Sequence, residues 1–188
     1  ELEDGAEAGD LVPLINRALG GSRRMTTMIE DVLSFARLGT SIDAVPVDLA
    51  EVVAELVADL AVQLDGVVLT VGHLPTVPGD RAQLRALMQN LLTNAAKFRA
   101  EGRPSVVTVS SSREGDFWRL EVADNGIGIP EDQRERVFEP MVRLDKRIDG
   151  VGIGLATSQR VVDSHDGRIG VTANPAGEGS VFWVELPV

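Results

Sequence analysis

A chain of 188 residues has room for one well-buried core and an appendage, and its formal net charge of −11 excludes the basic face that a nucleic-acid backbone requires. With no cysteine and only two, well-separated histidines, it offers neither a disulfide nor a thiolate or zinc centre. No run of about 18 apolar residues occurs, and the acidic start ELEDGAEAGD lacks the basic residues of a signal peptide, so the expectation is a soluble cytoplasmic piece without direct membrane contact.

In chain order, Asp10 reads as the N-cap of a first helix, with Pro13 tolerated in its first turn. Leu11, Ile15, Ala18, Ser22, Met25, Ile29, Val32 and Ala36 recur at spacings alternating four and three, the seam of a coiled coil, although Gly20 and Gly21 are poor helix formers. This helix is expected over about 10–39. Gly39 and SIDAVPVD (Ser41 to Asp48) then end it in a linker. Further helices are expected at about 49–64, 80–99, 131–137 and 153–165, and strands at about 67–72, 105–112, 116–123, 168–174 and 180–187. In the third of these strands Trp118, Leu120 and Val122 alternate with Arg119 and Glu121; in the last, Phe182, Val184 and Leu186 share a face. Helices on a single sheet make a two-layer α/β sandwich over about 47–188.

Three short motifs carry chemistry. In NLLTNAAKF (Asn90 to Phe98), Asn90, Asn94 and Lys97 share one helical face at i, i+4 and i+7. Lys97 and Lys146 are the only lysines, which makes a lysine on that face notable. An amide oxygen can ligate magnesium, an ion that completes its octahedron with water and substrate phosphates. In DNGIGIP (Asp124 to Pro130), an aspartate at a strand end can accept from an exocyclic amine, while Gly126 and Gly128 admit a flat ring close to the backbone, a combination that suits adenine. In GVGIGLA (Gly150 to Ala156), Gly150, Gly152 and Gly154 lead into an amphipathic stretch, so backbone N–H groups and a helix N-terminus can face phosphates. Singly, each has an ordinary reading as a buried asparagine pair, a turn or a flexible loop. Their order, with RVFEPMVR (Arg136 to Arg143) between the second and third, joins them into a pocket for a magnesium nucleotide.

In these four segments the chain resembles the carboxy-terminal part of sensor histidine kinases. They are similar to the asparagine box, first glycine box, phenylalanine box and second glycine box of the GHKL, or Bergerat-type, ATP-binding fold. Arg23 to Thr40 is similar to the second helix of the dimerisation and phosphotransfer hairpin, particularly in kinases resembling phytochrome-linked enzymes. Residues 1–42 would then be a partial hairpin, a coiled-coil-like helix ahead of an ATP-binding catalytic domain over 47–188. The resemblance implies ATP and Mg2+ as ligands, with Asn94 on the metal, Asn90 beside its shell, Lys97 on a phosphate and Phe98 in the adenine wall. Asp124 would hold the adenine amine, Gly126 and Gly128 would give clearance, and Gly150, Gly152 and Gly154 would border the phosphates. Ile129 and Leu155 complete the cofactor-binding positions. Glu139 to Asp149 would form a lid whose cations are Arg143, Lys146 and Arg147, and Asn90, Lys97 and Arg143 are the implied catalytic set. A homodimer through the 10–39 helix and a response-regulator receiver domain are the implied partners.

Two positions depart from the family pattern. Met141 stands where a second phenylalanine is common and is expected to fill a similar apolar slot. Val151 stands where a hydroxyl residue is common, which implies modestly weaker phosphate binding. Related ATP hydrolases carry a glutamate one turn before the magnesium asparagine; here that position is Asn90, and an amide is no general base. The site therefore suits transfer to a protein nucleophile, which the family carries as a histidine on the first hairpin helix. His73, in a turn, and His165, at a helix end, are both read as structural. The implied activity is that of a protein-histidine kinase acting on an upstream histidine, so the fragment is not expected to phosphorylate itself. A non-catalytic nucleotide-binding module is the alternative reading, and an ATP hydrolase, disfavoured by Asn90, is a further one.

Overall fold

The computed structural model describes residues 44–144 and 151–188, with isolated positions at 15, 16, 19, 21 and 42 ahead of them. The coiled-coil and hairpin expectations for 10–39 lie outside the described residues, those isolated positions apart, as do Gly150, the lid cations Lys146 and Arg147, and the rest of the lid beyond Leu144.

Period-two alternation of apolar residues builds the sheet. β2 (Val67–Val71), β4 (Ser105–Glu114), β5 (Phe117–Asp124), β6 (Arg168–Ala173) and β7 (Ser180–Pro187) pair in the order β2-β4-β5-β7-β6, with β2 parallel to β4 and the other pairs antiparallel. Val107, Val109, Leu120, Val122, Val184 and Leu186 form the buried face and share one core with the helices. The opposite parity carries the charged side chains Arg119, Glu121 and Glu185, together with Val181 and Trp183. There Arg119 Nη1 donates to Glu185 Oε1 at 3.0 Å, and its guanidinium lies 4.5 Å from the Trp183 ring centroid. One covered and one solvated face make the two-layer α/β sandwich that the sequence leads one to expect.

The helices cover that apolar face. α1 (Leu49–Asp59) starts at Asp48, whose Oδ1 accepts from Ala50 N at 2.8 Å, and it buries Leu49, Val52, Val53 and Leu56. It stops short of the expected residue 64, because Arg99 takes the carbonyls of Gln63 and Asp65 at 2.9 and 2.8 Å while Gly66 turns the chain at φ +71°. α2 (Arg81–Lys97) starts at Asp80, which accepts from Gln83 N at 3.0 Å, and buries Leu84, Leu87, Met88, Leu91, Leu92, Ala95 and Ala96. α3 (Gly154–Ser164) packs beside α2 and buries Val161 and Val162.

Two expectations are corrected. The supposed linker and the turn around His73 each contain a strand: β1 (Val45–Asp48) pairs antiparallel with β3 (Thr76–Gly79), Val47 opposite Val77, and both valines are buried. The expected helix at 131–137 is two separate 3₁₀ turns, Glu131–Gln133 and Arg136–Phe138. Neither has a side-chain cap, and the segment is confined between Pro130 and Pro140, too short for a stable α-helix.

His165 joins α3 to the start of α2. Its Nε2 accepts from Asp80 N at 3.0 Å and its Nδ1 lies 2.7 Å from Val161 O, a pairing that fixes the proton on Nδ1. Gly79 is required beside it, since a Cβ there would lie 2.8 Å from the imidazole. His165→Ala strands a backbone donor in the interior and is expected to cost about 1–3 kcal/mol. Glu51→Ala removes an exposed ion pair to Arg81 and is expected to cost under about 1 kcal/mol. Denaturant midpoints of both variants check the contrast.

Candidate functional site

α2 is attached to both glycine-rich loops. Asn90 Nδ2 donates to Gly154 O at 3.0 Å and reaches Ser158 Oγ at 3.5 Å, tying the helix to the first turn of α3. Eight residues on, Phe98 O accepts from Ile127 N at 3.0 Å, which ties the other end to the loop after β5. A Cβ at Gly126 would lie 2.1 Å from Phe98 O, so this approach is open to glycine alone. Between the two attachments, Asn94 is half-buried and its side-chain amide takes no partner among the described residues. Lys97 is exposed in the last turn, its Nζ 5.6 Å from the Phe98 ring centroid.

Asp124 closes β5 at 6% exposure. Its Oδ1 accepts from Gly126 N at 2.8 Å and from Ser180 N at 3.3 Å, and its Oδ2 takes no hydrogen bond among the described residues. Burial pushes its pKa up, against the opposite pull of the two N–H groups. Around it the backbone is closely fitted. Asn174 Nδ2 donates to Asp124 O at 2.8 Å, and a Cβ at Gly179 would lie 2.0 Å from the same oxygen. Asn125 accepts from Val106 N at 2.8 Å and donates to Pro104 O at 2.9 Å, locking the loop to the start of β4. Gly128 follows at φ +73°, and Ile129 packs, half-buried, against the core.

The second glycine loop approaches the lid backbone. Gly152 has φ +78°, its carbonyl accepts from Met141 N at 2.9 Å, and a Cβ there would lie 2.7 Å from Val142 O. Met141 itself has φ +66° and is 67% exposed, so it does not fill the apolar slot expected of it; Val137 and Phe138, just before it in the chain, are the buried residues of this segment. Turning the backbone into the left-handed region to meet Gly152 directs the methionine outward. Val151 is half-buried, Leu155 packs partly on the core, and the Arg143 side chain passes beside Gly152. Unlike α1 and α2, α3 carries no side-chain cap, and no acidic residue stands in its first turn, so among the described residues no carboxylate takes up its first-turn N–H groups.

The structure thus brings Asn90, Phe98, Gly126, Asp124 and Gly154 into one hydrogen-bonded frame, and seats Lys97 on Phe98 and Arg143 beside Gly152. Ser180, Asn174, Gly179 and Arg103 also belong to this frame and were not legible beforehand. The stretch NPAGEGS (Asn174 to Ser180) reads only as a turn, and the donor that Ser180 supplies is a backbone N–H that any residue but proline carries.

The family model for histidine kinase-, DNA gyrase B-, and HSP90-like ATPases matches residues 79–188. The phytochrome-like protein Cph1 of Synechocystis sp. is 35% identical over 184 residues, covering 95% of this chain and 24% of that protein. The alginate biosynthesis sensor protein KinB of Pseudomonas aeruginosa is 30% identical over 192 residues, covering 95% of this chain and 30% of that protein. Among solved structures, the mycobacterial sensor histidine kinase MprB superposes with a TM-score of 0.69 at 31% identity over 77% of this chain and 97% of that one. Full-length ShkA in complex with AMPPNP superposes with a TM-score of 0.75 at 31% identity, over 99% of this chain and 40% of that one. The chain spans 24% and 30% of the length of the curated relatives Cph1 and KinB.

Asp124→Asn keeps an oxygen for both N–H groups and removes a buried charge. Because the folded pKa is raised, ionising Asp124 costs stability. That cost is absent below the ordinary carboxylate range, grows as pH rises past the unfolded value, and is complete above the folded one. Relative to the parent, Asp124→Asn is therefore expected to gain stability as pH rises from about 3 to about 8. Denaturant midpoints across that range check it; a difference that shrinks with rising pH contradicts the assignment.

Proposed function

Because the chain belongs to the histidine kinase-, DNA gyrase B- and HSP90-like ATPases, we propose that it is the ATP-binding catalytic portion of a two-component sensor histidine kinase. In this reading it delivers the γ-phosphoryl group of ATP to a histidine outside the described residues. The observation that carries the reading is the frame on α2. At one end of it stands a buried carboxylate with Oδ2 uncommitted, at the other an uncapped helix N-terminus, and between them the uncommitted amide of Asn94.

Each group has a matching task. Asp124 Oδ2 accepts from the adenine amine while Gly126 and Gly128 let the ring lie against backbone. The first-turn N–H groups of α3 and its dipole receive phosphate oxygens. Lys97 and Arg143 add positive charge, since phosphoryl transfer depends on positioning and charge neutralisation more than on covalent help. Among the described residues no cluster of three His, Cys, Asp or Glu side chains could cage a metal. A donor set of one amide fits an ion held largely by phosphates and water, with Asn94 as the residue that would hold it and Asn90 its neighbour. Magnesium bound there would neutralise phosphate charge.

One observation supports transfer over hydrolysis. Asn90 has its amide donating to Gly154 O and Ser158 Oγ, so it neither removes a proton from water nor swings to do so. Neither histidine of the sequence suits the role of acceptor. His165 has both ring nitrogens engaged in the interior. His73 borders a groove with Trp118, at the far end of β5 from Asp124, about 20 Å away at about 3.3 Å per strand residue. In-line transfer needs the reacting atoms about 3 to 3.5 Å apart. A second copy joined through the 10–39 helix and the receiver domain of a response regulator are the partners this reading assigns.

Calorimetry is expected to give magnesium-dependent ATP and ADP binding with Kd of about 10 μM to 1 mM. Asn94→Ala should remove the magnesium dependence, and Asp124→Ala should weaken binding of both nucleotides by at least about tenfold. Parent-like binding by both variants contradicts the site. Labelled ATP should leave the 188-residue chain unlabelled, whereas the same chain extended upstream through a complete hairpin should acquire acid-labile label. Acid-labile label on the present chain, lost on His165→Ala, overturns the reading.

A further inference from the structure

Asp124 is held by N–H groups from two different loops, Gly126 after β5 and Ser180 at the start of β7. One side chain bridges those loops. Arg103, in the connection between α2 and β4, donates from Nη2 to Gly126 O at 2.9 Å and pairs through Nη1 with Glu178 at 2.8 Å, two residues before Ser180. Its Nε is buried and has no hydrogen-bond partner among the described residues. The guanidinium is therefore attached through its two terminal nitrogens, and each grips one half of the Asp124 cradle.

We infer that Arg103 is a positioning residue that fixes the Asp124 carboxylate for recognition of the nucleotide's 6-amino group, by clamping the Gly126 loop to the Glu178–Ser180 turn. This rests on the reading of the site as an ATP site. Arg103 touches neither Asp124 side-chain oxygen; it holds the carbonyl of Gly126, whose own N–H donates to Asp124, and the side chain of Glu178, two residues ahead of the Ser180 N–H that does the same. The Gly126 attachment is the stronger half. Glu178 has an 80% exposed side chain, so its ion pair with Arg103 is screened by solvent, whereas the bond to Gly126 O is part-buried. The Ser180 bond to Asp124, at 3.3 Å, is the longer of the two and lies on the Glu178 side, so it is the one that lengthens when the clamp is removed. With the clamp lost, Oδ2 loses its fixed direction while Asn94, Lys97 and the α3 N-terminus are untouched. The effect is confined to the base.

The test is binding of ATP and of inosine triphosphate, which carries a 6-oxo group in place of the amine, to the parent, Arg103→Met, Arg103→Lys and Glu178→Gln in the presence of magnesium. The parent is expected to prefer ATP. Arg103→Met is expected to lose about tenfold in ATP affinity while its affinity for inosine triphosphate stays the same, so that the preference collapses. Arg103→Lys can make one of the two bonds and falls between; Glu178→Gln shows a smaller loss that vanishes at high salt. An unchanged ratio of the two affinities in Arg103→Met, or in both Arg103→Lys and Glu178→Gln should the methionine variant fail to fold, overturns the inference. A parent that binds neither nucleotide overturns the site reading itself, and the inference with it.

Discussion

The arrangement rests on one helix with a hydrogen bond near its middle and another at its end. Asn90 holds Gly154 and Phe98 holds Ile127, and eight residues of α-helix separate them by about 12 Å. A helix turn cannot stretch, so the two glycine loops keep a fixed separation on the scale of an extended nucleotide. The rigidity of that ruler comes from the core. α2 buries seven apolar residues, is capped by Asp80, and is pinned at its start by His165 from the end of α3. The fold thereby places a site made of loops on the helix that buries the most apolar residues, which is how flexible backbone becomes a defined surface.

At that site the chain departs from rules it keeps elsewhere. α1 and α2 each begin with an aspartate accepting from first-turn N–H groups, and α3 does not. Asp124 is a buried carboxylate whose Oδ2 takes no hydrogen bond among the described residues, and the Asn94 side-chain amide takes none there either. In the proposed reading these three groups are the ones matched to a phosphate oxygen, the adenine amine and a hydrated cation. Local inconsistency of this kind marks where function has displaced folding optimality.

The sequence made the central sheet readable because its apolar positions recur at every second residue: Trp118, Leu120 and Val122 alternate with Arg119 and Glu121, Phe182, Val184 and Leu186 share a face, and the structure pairs the two sets with each other. It hid β1 and β3 because VPVD and TVPG are four residues each and place Pro46 opposite Pro78, two residues without an N–H to pair. The end of α1 depended on Arg99, which is distant in sequence from the carbonyls it takes, so periodicity alone overran it. In the site, the residue types that name their own chemistry were legible: the amides of Asn90 and Asn94, the carboxylate of Asp124, the glycines. The groups that hold them were not, because the peptide N–H of Ser180 and the Arg103 clamp arise from loops that come together only after the sheet forms. Met141 misled because its environment is set by the backbone of Gly152, not by its hydrophobicity.

Amide hydrogen exchange on the parent chain, followed as magnesium ADP is titrated in, addresses the central claim most directly. If α2 holds the two glycine loops in one site, residues 125–129 and 151–157 gain protection together, with a single midpoint, while the groove at His73 and Trp118 is unchanged. Protection of one loop without the other, or with a separate midpoint, would mean that the two motifs do not share a ligand and that the helix between them is not the frame of the site.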